Sequence, residues 1–227
     1  LARKKKNIDK RAVHLISHIN PKSNISEQYR LLRSNILFSS VDKVINSIVV
    51  TSPEPFDGKS TTAANLAIVL AQQGNQVLLV DADLRKPSIH YSFNISNIHG
   101  LTSVLTKKNS LQTAICKTHI PNLDLLTSGP IPPNPSELLN SKAMELIMED
   151  MKSMFEYVVF DTPPVLAVTD PQILANKCDG VVIVMSYGKT LKDRALKAKG
   201  LLVKAQAKIL GVVLNNMQVP KNEYHYE

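Results

Sequence analysis

The sequence predicts an α/β fold in which a parallel sheet carries helices on both faces. Apolar runs rich in Val, Ile and Leu recur without strict alternation, as strands buried on both sides do. Helical patterns separate these runs, so strand and helix alternate along the chain. One apolar run breaks into a Gly-Lys-Ser-Thr turn and two others end in aspartates, which puts polar chemistry at the sheet edge where open α/β sheets bind ligands.

The 227 residues suit one α/β domain with extensions, and 44% hydrophobic with 20% charged residues is an ordinary globular composition. With no Trp and 5% aromatic residues, the core is expected to be aliphatic. Cys116 and Cys178 are far apart without metal-ligand spacing, which predicts free thiols in a reducing compartment. No apolar run is long enough to span a bilayer, and the N-terminus lacks the apolar segment of a signal peptide.

The net charge of +8 is concentrated at the start, where Arg3, Lys4, Lys5, Lys6, Lys10 and Arg11 face one acid, Asp9. Residues 1–25 are expected to be a basic, flexible leader. A solvated tail and contact with an anionic inner leaflet both fit it. Nucleic acid fits less well, because no aromatic residues are interleaved with the charges.

Ser26 is the expected N-cap of a helix reading SEQYRLLRSNILFSS. Glu27, Arg30 and Arg33 share one face of it, either as an exposed ion-paired face or as a subunit contact. Ile45 to Val50 is the first strand, and Gly58-Lys59-Ser60-Thr61-Thr62 opens the next helix. Strand, turn and helix in this order form a phosphate cradle. Backbone N–H groups point at phosphate oxygens, Lys59 reaches the β/γ-phosphates, and the Ser60 hydroxyl ligates Mg²⁺. The literal motif is imperfect, since Pro53 occupies its first Gly position.

The helix from Thr61 ends at Gly74 as its C′ residue, and Gln76 to Val80 is the second strand. Asp81 and Asp83 follow it, a pair of carboxylates whose burial calls for a compensating cation such as Mg²⁺. Helical fragments are expected at Leu101 to Lys107 and Leu111 to Lys117, with a short strand at Leu123 to Leu126. The Pro-rich turn 128–135 reads as a connector, with a wall of the nucleotide site as the alternative. A long helix then runs from Ser136 and Glu137 to about Met154.

Tyr157 to Phe160 is a strand that runs into Asp161, the second usual partner of a phosphate loop, holding Mg²⁺ directly or through water. A helix (Pro171 to Asn176), a strand (Val181 to Met185), a basic helix (Leu191 to Lys204) and a strand (Ile209 to Leu214) complete the pattern. Asn215, at the last strand's end, is placed to read an adenine edge or simply to terminate the strand. The polar tail, residues 218–227, carries Tyr224 and Tyr226.

Gly-Lys-Ser-Thr at 58–61, VLLVDADLRKP at 77–87 and VVFDTPP at 158–164 together resemble the Walker A, Walker A′ and Walker B motifs of the bacterial protein-tyrosine kinases of capsule and exopolysaccharide operons. SEQYRLLRSN at 26–35 resembles that family's Glu-x-x-Arg-x-x-Arg oligomerisation helix, and LLTSGPIPPNPSELL at 125–139 extends the likeness. The resemblance covers about Pro21 to Met217 and implies a P-loop NTPase-like, MinD/ParA-like kinase domain over residues 26–217. It is nearest to the separate cytoplasmic kinases of Gram-positive bacteria, in particular the exopolysaccharide or biofilm members of bacilli.

The resemblance implies ATP/ADP and Mg²⁺ as cofactors. Asp57, Gly58, Lys59, Ser60, Thr61 and Asn215 then hold the nucleotide, and Ser60, Asp83 and Asp161 the metal. Lys59, Asp81 and Asp83 are catalytic, with Asp81 facing the acceptor hydroxyl. Tyr224 and Tyr226 become acceptors in trans, within a homo-oligomeric ring assembled through Glu27, Arg30 and Arg33. Implied partners are a membrane adaptor of the polysaccharide co-polymerase type that recruits the chain to the inner face of the plasma membrane, other tyrosine-bearing protein substrates, and a cognate tyrosine phosphatase. No nucleic acid is expected.

Two departures stand out. Phe56 occupies a phosphate-loop position that is usually Gly or another small residue, where its ring can crowd the loop or pack on the nucleotide. The tail has only two tyrosines. A partitioning or site-positioning ATPase of the same fold is the main rival, yet Glu54 stands where such proteins carry a second lysine. A nucleotide-gated scaffold without turnover is the other.

Overall fold

The computed structural model describes residues 12–39 and 44–217. In chain order it begins with helices α1 (Ile16–Ile19) and α2 (Asn24–Phe38), strand β1 (Ser47–Thr51), helix α3 (Lys59–Ala71) and strand β2 (Val77–Asp81). Short helices α4 (Ile89–Phe93), α5 (Leu101–Leu105) and α6 (Leu111–Ala114) lead to strands β3 (Cys116–Lys117) and β4 (Leu123–Leu126). Helices α7 (Pro135–Leu139) and α8 (Lys142–Met154) precede strand β5 (Tyr157–Asp161). The chain closes with α9 (Asp170–Lys177), β6 (Gly180–Ser186), α10 (Lys192–Lys204) and β7 (Ile209–Asn215).

The sheet order is β3-β4-β2-β5-β1-β6-β7, parallel throughout except for β3 against β4. Successive side chains of one strand enter opposite cores. Val49, Val158 and Phe160 pack with α5 to α10, while Ile48, Val50 and Val159 pack with α1 to α4. Both faces of the central strands are dry, so those strands show no period of two, whereas the edge strand β7 leaves Val212 and Leu214 exposed. Each fully buried Leu or Ile contributes roughly 1.5–3 kcal/mol by leaving water.

Helix α3 lies beneath α1 and α2 and is buried from Thr62 to Ala71. Its alanines 63, 64, 67 and 71 let the backbone approach the sheet. Asn65, also fully buried, is satisfied by holding the segment before α2: its Oδ1 accepts from the Ser17 N–H at 2.9 Å, and its Nδ2 donates to the His14 carbonyl at 2.8 Å. Gln72 Nε2 adds a bond to the Ser17 carbonyl.

The flexible leader expected through residue 25 is therefore corrected at its end: Leu15 and Ser17 are buried and α1 packs on α3. Residues 1–11 lie outside the described residues. The expected cap also moves. Ser23, not Ser26, accepts from the first turn of α2, while Ser26 is buried and donates to the Asn20 carbonyl at 2.7 Å. The helix expected over 136–154 is two helices, because Asn140 ends α7 and the Ser141 side chain caps α8 by accepting from the Met144 N–H. The last helical residue of α3 is Ala71, so Gly74 closes the turn beyond its cap, at φ 94°. Both cysteines are free thiols.

Candidate active site

Strand β1 ends at Thr51, and residues 52–58 wrap over its tip before α3 begins. Gly58 caps α3 at φ 98° without a side chain, so the first N–H groups of the helix remain available to an anion. Side chains brace the loop from behind. Asp57 is buried and accepts from the Glu54 N–H at 3.0 Å and from the Thr190 hydroxyl at 2.8 Å. Arg194 of α10 donates to Glu54 at 2.7 Å. Asp57 thus shapes the loop with its carboxylate and can offer a phosphate only its backbone.

Strand β5 lies between β1 and β2 and pairs Asp161 with both Val50 and Asp81, so two aspartates meet at the tip of β1. The phosphate-loop strand and the Asp81 strand are not direct neighbours; β5 carries the third acid between them. Lys59 joins them, its Nζ lying 3.1 Å from Asp83, 3.2 Å from the Ser60 hydroxyl and 3.7 Å from Asp161. Burial opposes the charge on Lys59, but Asp161 and Asp83 outweigh it and raise its pKa.

The acids respond differently. Burial pushes Asp161 up to about 6 against the pull of Lys59 and Ser60. Burial and then the charges of Asp161 and Asp83 push Asp81 up to about 8. Asp81 is nonetheless tied down: its oxygens accept from the N–H groups of Asp83 at 3.3 Å and of Ser88 and Ile89 at 3.1 Å. Asp81 is fully buried, and Asp83 is the acid that lines the cleft.

Both carboxylate oxygens of Asp161 are buried without a hydrogen-bond partner. Such a carboxylate, met only by the charge of Lys59 at 3.7 Å and lying beside a hydroxyl, fits a small hard cation. No three His, Cys, Asp or Glu side chains form a metal cage among the described residues. Mg²⁺ commonly takes one or two carboxylates and fills its octahedron with water and substrate phosphates.

The cleft above this floor has a volume of about 1110 Å³. The Pro-rich turn, read above as a connector, forms one wall of it through Gly129, Pro130 and Ile131, which corrects that reading. Asn97 Nδ2 donates to the Gly129 carbonyl at 3.0 Å, and a β-carbon on Gly100 would sit 2.3 Å from the Thr127 carbonyl oxygen, so a close backbone approach holds the wall in place. Phe56 does not crowd the loop. It sits at the mouth with φ 68° and 96% of its surface exposed.

Asn215 lies behind the loop and donates from Nδ2 to the Asp57 carbonyl at 3.0 Å, so its amide is engaged with the loop backbone. Arg85 was not singled out from the sequence. It grips the buried Asp170 through two bonds of 2.9 and 3.1 Å, and Ser136 donates to the same carboxylate at 2.6 Å. An acid in the first turn of a helix looks like ordinary dipole compensation, which hid Asp170.

Of the expected oligomerisation residues, Glu27 and Arg30 pair with each other, and Arg30 also reaches the Pro21 carbonyl at 2.7 Å. Arg33 turns inward and donates to the Val69 carbonyl of α3 at 2.9 Å. Tyr224 and Tyr226 lie outside the described residues.

Residues 56–210 match the family described as AAA domain. The chain is 52% identical to the tyrosine-protein kinase YwqD of Bacillus subtilis over 214 residues, 94% of this chain and 90% of that protein. It belongs to the bacterial tyrosine-protein kinases. The kinase domain of the Escherichia coli tyrosine kinase ETK superposes on this bacterial kinase fold with a TM-score of 0.87 at 30% identity, covering 99% of this chain and 89% of that one. The cell division ATPase MinD of Pyrococcus furiosus, 24% identical with a TM-score of 0.64 over 74% of this chain and 71% of that one, shares the fold, as the MinD-like class expected from the sequence requires. No helix among the described residues is long and apolar enough to cross a membrane.

Proposed function

We propose that this protein is a tyrosine kinase that transfers the γ-phosphoryl group of Mg²⁺·ATP to Tyr224 and Tyr226 of a neighbouring copy. The observation that carries the reading is the meeting of Lys59 with strand-end acids, 3.1 Å from Asp83 and 3.7 Å from Asp161. Without nucleotide, Lys59 neutralises carboxylates. A triphosphate competes for it and draws it toward the β/γ-phosphates.

Ser60, Asp83 and Asp161 are the groups that would hold Mg²⁺, and the ion would neutralise charge on the transferring phosphoryl group. Thr61 and the N–H groups of Gly58 to Ser60 orient the phosphates. Phosphoryl transfer asks for positioning and charge neutralisation more than for covalent help. Tyrosine hydroxyls titrate near pH 10. Asp81 is the carboxylate that would receive the proton late in the step, once Mg²⁺ on Asp83 and Asp161 relieves the like charges that, after burial, hold its pKa up. It is reached when the turn at Asp83 to Ile89 releases its oxygens.

The acceptor comes from another copy, in a ring assembled through Glu27, Arg30 and Arg33. Each phosphate adds about −2 charge to a tail, and repulsion between phosphorylated tails loosens the ring. A cognate phosphatase resets it, and the cycle times polysaccharide export. Other tyrosine-bearing proteins are further substrates. The membrane partner is an adaptor of the polysaccharide co-polymerase type, which recruits the kinase to the inner face of the plasma membrane and activates it. The basic residues 3–11 suit that anionic surface.

The test is intact-mass spectrometry with ATP and Mg²⁺ on a mixture of full-length Lys59→Met protein and active protein shortened to residue 217. Phosphate on the tail of the Met variant is expected. An unmodified tail, with active full-length protein phosphorylated alone, would refute transfer between copies. ADP release without any mass gain would instead favour the positioning ATPase.

A further inference from the structure

We propose that Phe56 and Lys86, at the mouth of the cleft, form an acceptor subsite that selects tyrosines flanked by acidic residues. The inference rests on the kinase reading above and adds to it how the substrate is chosen. Phe56 is the first observation. A left-handed backbone costs an L-residue about 1–2 kcal/mol, and Phe56 adopts one at φ 68°. Packing does not offset that cost, because 96% of the side chain is exposed. Backbone strain of this kind is maintained where surrounding structure enforces it, and it clusters at ligand clamps. Here Asp57, Glu54, Thr190 and Arg194 hold the loop, and the ring stands free at its crest.

The cleft is the second observation. Lys59, Ser60 and Asp83 lie at its floor, and Phe56, Pro55, Ile131 and Pro164 border the same cavity. Its volume of about 1110 Å³ exceeds the roughly 300–1,000 Å³ typical of a single small-ligand pocket. The apolar border beside the Lys59 floor suits a second, planar and partly apolar group next to the phosphoryl group. A phenol that must present its oxygen to the phosphate is that group, and an aromatic face is its natural platform.

Lys86 supplies the charge. Its neighbour Arg85 is committed to Asp170, but the Lys86 ammonium makes no ion pair among the described residues and is exposed. Its backbone is anchored to the floor, because the Lys86 N–H donates to Asp83 at 3.0 Å, and its side chain reaches out from there. The chain's own acceptors match an aromatic platform with a free cation: Glu223 precedes Tyr224, and Glu227 follows Tyr226.

The experiment uses the full-length kinase and two synthetic peptides, one with the sequence of residues 221–227 and one with both glutamates replaced by Gln. Peptide phosphorylation is read by mass, which separates it from modification of the kinase's own tail. Phe56→Gly is expected to raise KM for the glutamate peptide about threefold to tenfold, the scale of one aromatic pair, and by more than it moves KM for ATP. Phe56→Tyr restores the peptide KM. The wild type prefers the glutamate peptide by about twofold to fivefold, as an exposed ion pair allows, and Lys86→Gln abolishes the preference.

A peptide KM unmoved by Phe56→Gly, or a rise confined to the KM for ATP, would overturn the aromatic subsite. Equal discrimination by the wild type and Lys86→Gln would overturn the charge selection. In those cases phosphorylation itself persists and the kinase reading stands. ATP hydrolysis with no phosphate on peptide or tail would overturn both.

Discussion

Asn215 Nδ2 donates to the Asp57 carbonyl at 3.0 Å from directly over the face of Gly58, where any β-carbon would sit 1.9 Å from that same nitrogen. The last strand therefore braces the phosphate loop from behind, against the one glycine in it. Gly58→Ala should lose nucleotide binding and lower stability by about 1–3 kcal/mol through strain and displacement. Adding Asn215→Ala removes the clash but not the left-handed φ of 98°, so the double variant should recover only part. Calorimetric melts and ATP titrations of both variants check this, and full recovery would show that φ contributes nothing.

Lys59→Met should do more than abolish phosphate transfer. Removing one partner of a buried ion pair costs about 3–5 kcal/mol because the remaining charges are stranded, and here Asp83 and Asp161 are stranded together. The variant should melt well below the wild type at pH 8 and recover much of the difference near pH 5, where Asp161, already raised by burial, can protonate. A melting difference independent of pH would contradict this.

The nucleotide-free protein should also lose stability as pH rises. Asp161 and Asp81 have folded-state pKa values of about 6 and about 8, above the carboxyl reference of 3.8. The folded state thus binds protons more tightly than the unfolded state. The contribution of these groups is complete below pH ~4 and is lost as pH climbs through 6 and then 8. Tm should fall between pH 5 and pH 8.5, with steps near pH 6 and pH 8. Asp161→Asn should flatten the fall, and so should Mg²⁺ with ATP. Scanning calorimetry across that range decides it.

Asp170→Asn tests the clamp on the cleft wall. It leaves Arg85 without a counter-charge and Ser136 with a weaker acceptor, so stability should fall by about 2–4 kcal/mol. KM for ATP should rise, because Arg85 borders the cleft. Steady-state kinetics beside urea titrations separate the two effects.

The sequence made the strand tips legible because buried strands, Asp81, Asp161 and the Gly58-Lys59 turn all follow from local composition. Helix ends were legible where capping chemistry was plain. The break before Lys142 was missed although Ser141 carries an N-cap signal, since apolar spacing on either side masks it. Strand β3, two residues long, leaves no periodicity to detect. The insertion of β5 between β1 and β2 is a long-range pairing that no local pattern encodes. Asn65 reads as an unremarkable polar residue of an Ala-rich helix. Only packing shows that it fastens the segment before α2.

The Arg85–Asp170–Ser136 junction joins the turn after β2, the start of α9 and the start of α7 before any nucleotide arrives. Arg85, which borders the cleft, is thereby fastened to the two helices behind it. An arriving nucleotide has little chain to immobilise, so association should carry a small conformational-entropy penalty and keep its speed in viscous, crowded surroundings. In Asp170→Asn the same encounter would have to immobilise Arg85 itself, and the slower, more entropically opposed association would register as a lower on-rate while the phosphate loop stayed intact.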